Sequence, residues 1–177
     1  TATYRSSTIP TGYYTLVLQL QDAGSLVMGA VEIVRIVKDE VTAGSFDFQE
    51  VNGIGGRLTV SITPQLSDPL TVALSGLASQ LPAGSSMTVS ASVPAGTGNV
   101  VCAWYLNGAA TAAGPSYTLG SGLAQGYYRL DVTAFTADGL RAGSASGGFQ
   151  VTSGELAQAA LEWDPNTETD LAGYRIY

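Results

Sequence analysis

The chain has 177 residues, with 7 Lys and Arg against 14 Asp and Glu, so its formal net charge at pH 7 is −7. Only 12% of its residues are charged, histidine is absent, and there is a single cysteine. This composition argues against nucleic acid and anionic lipid as partners, because both require clustered basic side chains. It also excludes a Ser–His–Asp triad and an intramolecular disulfide.

The N-terminal part of the chain predicts a β-hairpin. Apolar and polar residues alternate over 12–21, a turn signal follows at 22–24, and a second β-branched run covers 26–37. Another alternating stretch lies at 44–51, and the glycine-rich segment 52–56 is the best candidate for a linker. The linker places a domain boundary near residue 53.

The middle of the chain is a series of short alternating stretches. They lie at residues 57–63, 70–75, 86–93, 100–106, 115–119, 126–135 and 140–151. Only 155–161 could compete as a helix, and it is one or two turns long. Short strands at this spacing predict an all-β protein.

One of these strands carries a tryptophan in its centre. Cys102, Trp104 and Leu106 share one face, and Asn107-Gly108 supplies a turn, since both residues tolerate positive φ. The arrangement resembles the third strand of an immunoglobulin-type sandwich, in which the indole fills the space between two sheets. We therefore expect Cys102 to be a buried thiol without redox chemistry.

The chain also contains an internal repeat. The tyrosine pair that follows Gly12 recurs after Gly126, and at the same offset Ala23 matches Ala137 and Gly29 matches Gly143 without a gap. Residues 12–37 and 126–151 are therefore predicted to form the same kind of hairpin.

The second copy of the repeat resembles the immunoglobulin-like strand that carries a tyrosine corner. On this basis residues 53–153 resemble a complete, disulfide-free bacterial Ig-like or PKD-like module. The resemblance implies a core without catalytic residues. Its expected members are Val89, Cys102, Trp104, Tyr128, Leu130 and Val132.

The two ends resemble parts of further modules. Residues 1–52 resemble the C-terminal part of a prealbumin-like or Ig-like sandwich domain. Residues 154–177, with Trp163 and Tyr174, resemble the opening of a fibronectin type III domain, which implies that both rings belong to a core. Such pieces are marginal alone, so we expect completion by further chain or by a neighbouring copy. The predicted fold class is tandem immunoglobulin-like β-sandwich domains.

The sequence predicts no catalytic, cofactor or metal site. The acidic residues Asp164, Glu168 and Asp170 do not have EF-hand spacing and are expected to form a solvated loop rather than a calcium site. Tyr13 and Tyr127 are expected to point away from the cores, since Tyr14 and Tyr128 are expected to point inward, and they are candidate ligand or interface residues, with ordinary packing on a sheet face as the alternative.

These features predict a non-catalytic structural or adhesive segment of a secreted or cell-surface multidomain bacterial protein. No run of 18 apolar residues is present, so membrane insertion is not expected. The expected partners are other protein domains or copies of the same chain, met through β edges. Two alternatives remain: a carbohydrate-binding or spacer module of a secreted hydrolase, and a filament subunit assembled by strand exchange.

Overall fold

The computed structural model describes residues 9–40, 43–50, 56–63 and 69–153, with the backbone alone for 43–50 and 56–63. The regular elements within these ranges are all β-strands, which confirms the predicted all-β class, while the tandem arrangement of domains stays a prediction. In the same ranges no helix is long and apolar enough to cross a membrane.

The first two strands form the predicted N-terminal hairpin. β1 (Gly12–Asp22) pairs antiparallel with β2 (Ser25–Ile36). The turn between them is Ala23-Gly24, with φ of 46° and 84°. Positive φ at both central residues gives a turn whose twist matches that of the flanking strands, so the hairpin closes with only two turn residues.

A second hairpin follows. β3 (Ala43–Glu50) pairs antiparallel with β4 (Gly56–Thr63), and the register places Phe48 opposite Leu58. Apolar positions of two alternating strands are thereby matched, which favours this pairing. The strand predicted at 57–63 corresponds to β4 and pairs with β3, whereas the boundary predicted near residue 53 lies outside the described residues and stays a prediction.

The remaining strands form two sheets. The smaller sheet contains β5 (Ala73–Ser75), β7 (Met87–Ser92) and β10 (Ser116–Leu119), in the order β10–β7–β5. The larger sheet contains β6 (Gln80–Pro82), β8 (Val100–Leu106), β9 (Ala109–Ala113), β11 (Gly126–Thr136) and β12 (Ala142–Thr152). Its order is β6–β12–β11–β8–β9.

Two strands of the larger sheet have no counterpart in the sequence prediction. β6 has three residues, ends at Pro82, and is joined to β12 by parallel pairing. β9 has the sequence AATAA, which is poor in strand-forming residues. Both are edge strands, so tertiary pairing rather than local propensity accounts for them.

The two sheets enclose one apolar core, which makes this part of the chain an immunoglobulin-like β-sandwich. Trp104 is fully buried, its Nε1–H donates to the Gly114 carbonyl at 2.9 Å, and its ring lies 6.2 Å from that of Tyr117. The buried members of the core are Leu70, Leu81, Val89, Cys102, Trp104, Leu119, Leu130, Val132, Ala134, Phe149 and Val151.

Candidate functional site: where the first hairpin meets the sandwich

The β1–β2 and β11–β12 hairpins carry the same tyrosine hydrogen bond. The Tyr128 hydroxyl donates to the Ala124 carbonyl at 2.9 Å, and the Tyr14 hydroxyl donates to the Pro10 carbonyl at 2.9 Å. In each case the acceptor lies four residues before the tyrosine. Each bond ties the start of a strand to the segment that leads into it, as in a tyrosine corner.

The two hairpins differ in register. Leu130 lies opposite Gly147 in the second hairpin, whereas its counterpart Leu16 lies opposite Glu32. At the offset of the repeat, Gly147 corresponds to Ile33, so the return strand of the first hairpin is shifted by one residue. A one-residue shift moves side chains to the other face of a strand. It therefore puts the Glu32 carboxylate on the face that a glycine occupies in the second hairpin.

The first hairpin lies against the sandwich through its backbone. A Cβ atom on Gly29 would come within 2.5 Å of the Asn107 carbonyl oxygen and 2.9 Å of Gly108 Cα. The Gln19 side-chain amide donates to the Gly108 carbonyl at 3.0 Å. Since Asn107-Gly108 is the turn between β8 and β9, the absence of side chains at both glycines allows β2 to approach it closely.

Polar side chains complete this contact. On β11, Arg129 and Asp131 alternate with the core residue Leu130 and lie on the face of the larger sheet that points away from the core. Arg129 Nε is 2.8 Å from Asp131 Oδ1, and Arg129 Nη2 is 3.3 Å from Glu32 Oε1. The Ser144 hydroxyl donates to Glu32 Oε2 at 2.8 Å. We call Glu32, Arg129, Asp131 and Ser144 the docking cluster.

The docking cluster also binds the backbone of β2. The Ile33 amide donates to the Ser144 hydroxyl at 3.4 Å. A strand edge with unpaired amides is costly to bury, and a side-chain acceptor on the sheet face offsets part of that cost. The hairpin is therefore attached by backbone and side-chain contacts together.

Asp131 is the least solvated member of the docking cluster. Its side chain is 0% exposed. Burial raises the pKa of Asp131 to about 7, although Arg129 and the Val31 backbone amide act to lower it. The neighbouring Glu32 carboxylate acts with burial to raise it. Oδ2 of Asp131 has no hydrogen-bond partner within the described part of the chain.

The two tyrosines proposed from the sequence lie on different hairpins. Tyr13 is on β1, half-buried, with the Arg35 guanidinium 5.6 Å from its ring centroid. Tyr127 is on β11, half-buried, opposite Gln150. A ligand-binding role for these rings stays a prediction.

The other candidates are placed as follows. Cys102 is buried in the core, and burial raises the pKa of its thiol. Tyr128 is half-buried and stacks on Phe149, with ring centroids 5.4 Å apart. Trp163 and the acidic loop lie outside the described residues. Within 9–40 and 69–153, no group of three or more His, Cys, Asp or Glu could hold a metal ion.

The docking cluster was not among the residues proposed from the sequence. Glu32 and Arg129 belong to different hairpins, and no local pattern brings them together. One signal was present: Asp131 sits between the apolar residues Leu130 and Val132 in a strand that is buried along most of its length. A carboxylate in that position needs a buried partner.

The comparisons with known proteins find distant similarity to solved structures. No protein-family model matches the chain, and no curated protein matches it. Among solved structures, the chain is similar to the fibronectin(III)-like modules of CbhA from Clostridium thermocellum. The identity is 13%, the match covers 91% of this chain and 88% of that chain, and the TM-score is 0.43.

Proposed function

We propose that this chain is a non-catalytic structural segment that holds consecutive β-sandwich modules of a secreted or cell-surface protein in a fixed relative orientation. The observation that carries the proposal is the attachment of the first hairpin to the sandwich. The β2 backbone meets the Asn107-Gly108 turn, and the docking cluster adds a half-buried ion pair between Glu32 and Arg129.

Hydrogen bonds that polar side chains make within turns and between strands support this proposal, because these side chains stabilise the fold. Trp104 binds the Gly114 carbonyl, and Thr136 donates to Asp138 Oδ1 at 2.6 Å in the turn before β12. The Asn107 side chain accepts from the Arg129 amide at 2.8 Å. Such bonds stiffen turns and strand ends, as a spacer requires.

A fixed orientation can be tested by residual dipolar couplings measured on the complete 177-residue chain. Amides of β1 and β2 and amides of β7, β8 and β11 should fit one alignment tensor. If the hairpin needed a separate tensor, or showed strongly averaged couplings, the proposed function would be wrong. Amides of the exposed residues 120–122 provide the reference for local motion.

A second candidate function is assembly through β1. In the sandwich β11 pairs with strands on both sides, β12 and β8, whereas its counterpart β1 pairs only with β2 among the described strands. A long strand with a free edge favours addition of a further strand. The partner would be a second copy of the chain.

Light scattering over a concentration series tests this second candidate. The exposed Val17 on β1 is the position to change, and Val17→Lys should weaken any self-association, since edge lysines oppose strand addition. Leu140→Lys, at an exposed position in the turn between β11 and β12, is the matched control. A chain that stays monomeric at high concentration contradicts the candidate.

A further inference from the structure

We propose that protonation of Asp131 controls the attachment of the first hairpin, so that the β1–β2 hairpin is held more tightly on the sandwich in mildly acidic solution than at neutral pH and above. This inference rests on the docked arrangement of the proposed function and adds its regulation. It concerns the docking cluster and leaves the core of the sandwich unchanged.

The hydrogen bonding of Asp131 is the first observation. Its side chain is fully buried, Oδ1 is bound by Arg129 Nε at 2.8 Å, and Oδ2 has no partner among the described residues. An ionised carboxylate with a buried, unsatisfied oxygen is costly, and the neutral acid carries less of that cost.

The charge balance of the docking cluster is the second observation. With both carboxylates ionised, Glu32 and Asp131 share a single cation, Arg129, so these three side chains carry one excess negative charge. Protonation of Asp131 brings the summed charge of these three side chains to zero. The positive charge of Arg129 is then balanced by Glu32 alone. Because Asp131 is fully buried and the side chains of Arg129 and Glu32 are only 14% and 25% exposed, a cluster without net charge is favoured over one that carries net charge.

Two further charged residues belong to the strands that approach β11: Arg35 on β2 and Arg57 on β4. On β8 the residue opposite Asp131 is Tyr105, and on β12 it is Ser146. β4 also approaches β11, and Arg57 is its only charged residue. Of the described side chains, Arg129 and Glu32 are the charged groups that act on the carboxyl of Asp131.

The direction of the pH dependence follows from burial. When the hairpin is docked, burial raises the pKa of Asp131 from 3.8 to about 7. Release of the hairpin exposes the outer face of the sheet and returns the pKa toward its ordinary value. The docked state therefore binds the proton more tightly, and docking weakens as the pH rises toward 7. Between about pH 5 and pH 8 the docking equilibrium constant should fall by up to about a hundredfold.

Amide hydrogen exchange on the full chain tests this inference. The Ile33 amide, which donates to Ser144, reports docking, and the Val132 amide, at the centre of the sandwich, reports global unfolding. After correction for intrinsic exchange, protection of Ile33 should fall by up to about a hundredfold between about pH 5 and pH 8. Protection of Val132 should change much less.

Two variants and one direct titration sharpen the experiment. Asp131→Asn should abolish the pH dependence of Ile33 protection, while Asp22→Asn, at an exposed carboxylate on β1, should preserve it. In the unmodified chain, the ¹³C shift of the Asp131 carboxyl carbon should titrate near neutral pH, which requires no substitution and so no assumption about folding of the variants.

The possible outcomes separate the two proposals. If Ile33 is unprotected at every pH, the docked hairpin and the proposed function both fail. If Ile33 is equally protected at both pH values, or Asp131 titrates near its ordinary value, only the proton control is overturned. If Ile33 and Val132 lose protection together, the effect is global and the proposal is likewise overturned.

Discussion

The β11–β12 and β1–β2 hairpins begin with nearly the same sequence and end in different surroundings. Both carry a tyrosine whose hydroxyl binds a carbonyl four residues earlier. β11 is the centre of a five-stranded sheet with the core on one face, whereas β1 pairs with β2 alone among the described strands. Local sequence thus determines the hairpin and its tyrosine hydrogen bond, whereas the neighbouring strands determine how many partners the hairpin pairs with and which face is buried.

The glycines Gly29 and Gly143, which match in the repeat, also differ in what they pack against. A Cβ on Gly143 would collide with the Leu70 carbonyl oxygen, because the chain entering the sandwich runs against β12. A Cβ on its counterpart Gly29 would collide with Asn107 and Gly108 at the turn after β8, and also with the Leu18 carbonyl oxygen of its own hairpin. In one copy the glycine permits a contact within the sandwich, and in the other a contact between the hairpin and the sandwich.

The largest expected effect is on the sandwich itself. Trp104→Ala should lower the free energy of unfolding by about 3–5 kcal/mol, because it removes the largest fully buried side chain of the core. Chemical denaturation measures this loss. Val101→Ala is the control on the same strand, where the side chain is 63% exposed, and should change the value by less than about 0.5 kcal/mol.

Substitution of Gly143 and of Gly29 should affect different parts of the molecule, the sandwich in the first case and the attachment of the first hairpin in the second. Gly143→Ala should destabilise the sandwich by about 1–3 kcal/mol, because the added methyl group meets backbone. Gly29→Ala should leave the unfolding midpoint of the sandwich nearly unchanged and lower the exchange protection of Ile33. Gly122→Ala, where a Cβ meets nothing within 4 Å, is the control. Equal effects of the first two changes on the sandwich would contradict the contrast.

The tyrosine corners should differ in the same way, with smaller effects. Tyr128→Phe removes the bond to Ala124 and should cost the sandwich about 1 kcal/mol in thermal or chemical unfolding. Tyr14→Phe removes the equivalent bond in the first hairpin and should leave that transition where it is. A loss of similar size from Tyr14→Phe would mean that both hairpins unfold as one unit.

Periodicity could predict the strands that carry strong alternation and the turns with glycine. The face shared by Cys102 and Trp104 is buried, and the Asn107-Gly108 turn has positive φ at both residues. The edge strands β6 and β9 could not be predicted from the sequence, because they form through pairing with neighbouring strands and not through a local preference for strand conformation. The docking cluster escaped because a one-residue register shift decides where Glu32 points, and the repeat alone predicts the unshifted register.

The smallest expected effect concerns the electrostatics of the docking cluster. Glu32 acts to raise the pKa of Asp131, so Glu32→Gln should move the titration of the Asp131 carboxyl carbon toward lower pH. The ¹³C titration measures the direction of the change. Glu40→Gln, at an exposed residue beyond β2, should leave the titration unchanged. A shift toward higher pH would contradict the assigned charge balance.

The most direct test of the account is the contact between Gly29 and Gly108, because it defines how the first hairpin lies on the sandwich. A Cβ on Gly29 would be 2.9 Å from Gly108 Cα, so the α-protons of the two residues should give a strong nuclear Overhauser effect in the full chain at mildly acidic pH. If that effect is missing while the Trp104–Tyr117 ring contacts of the core are observed, the docked hairpin is wrong.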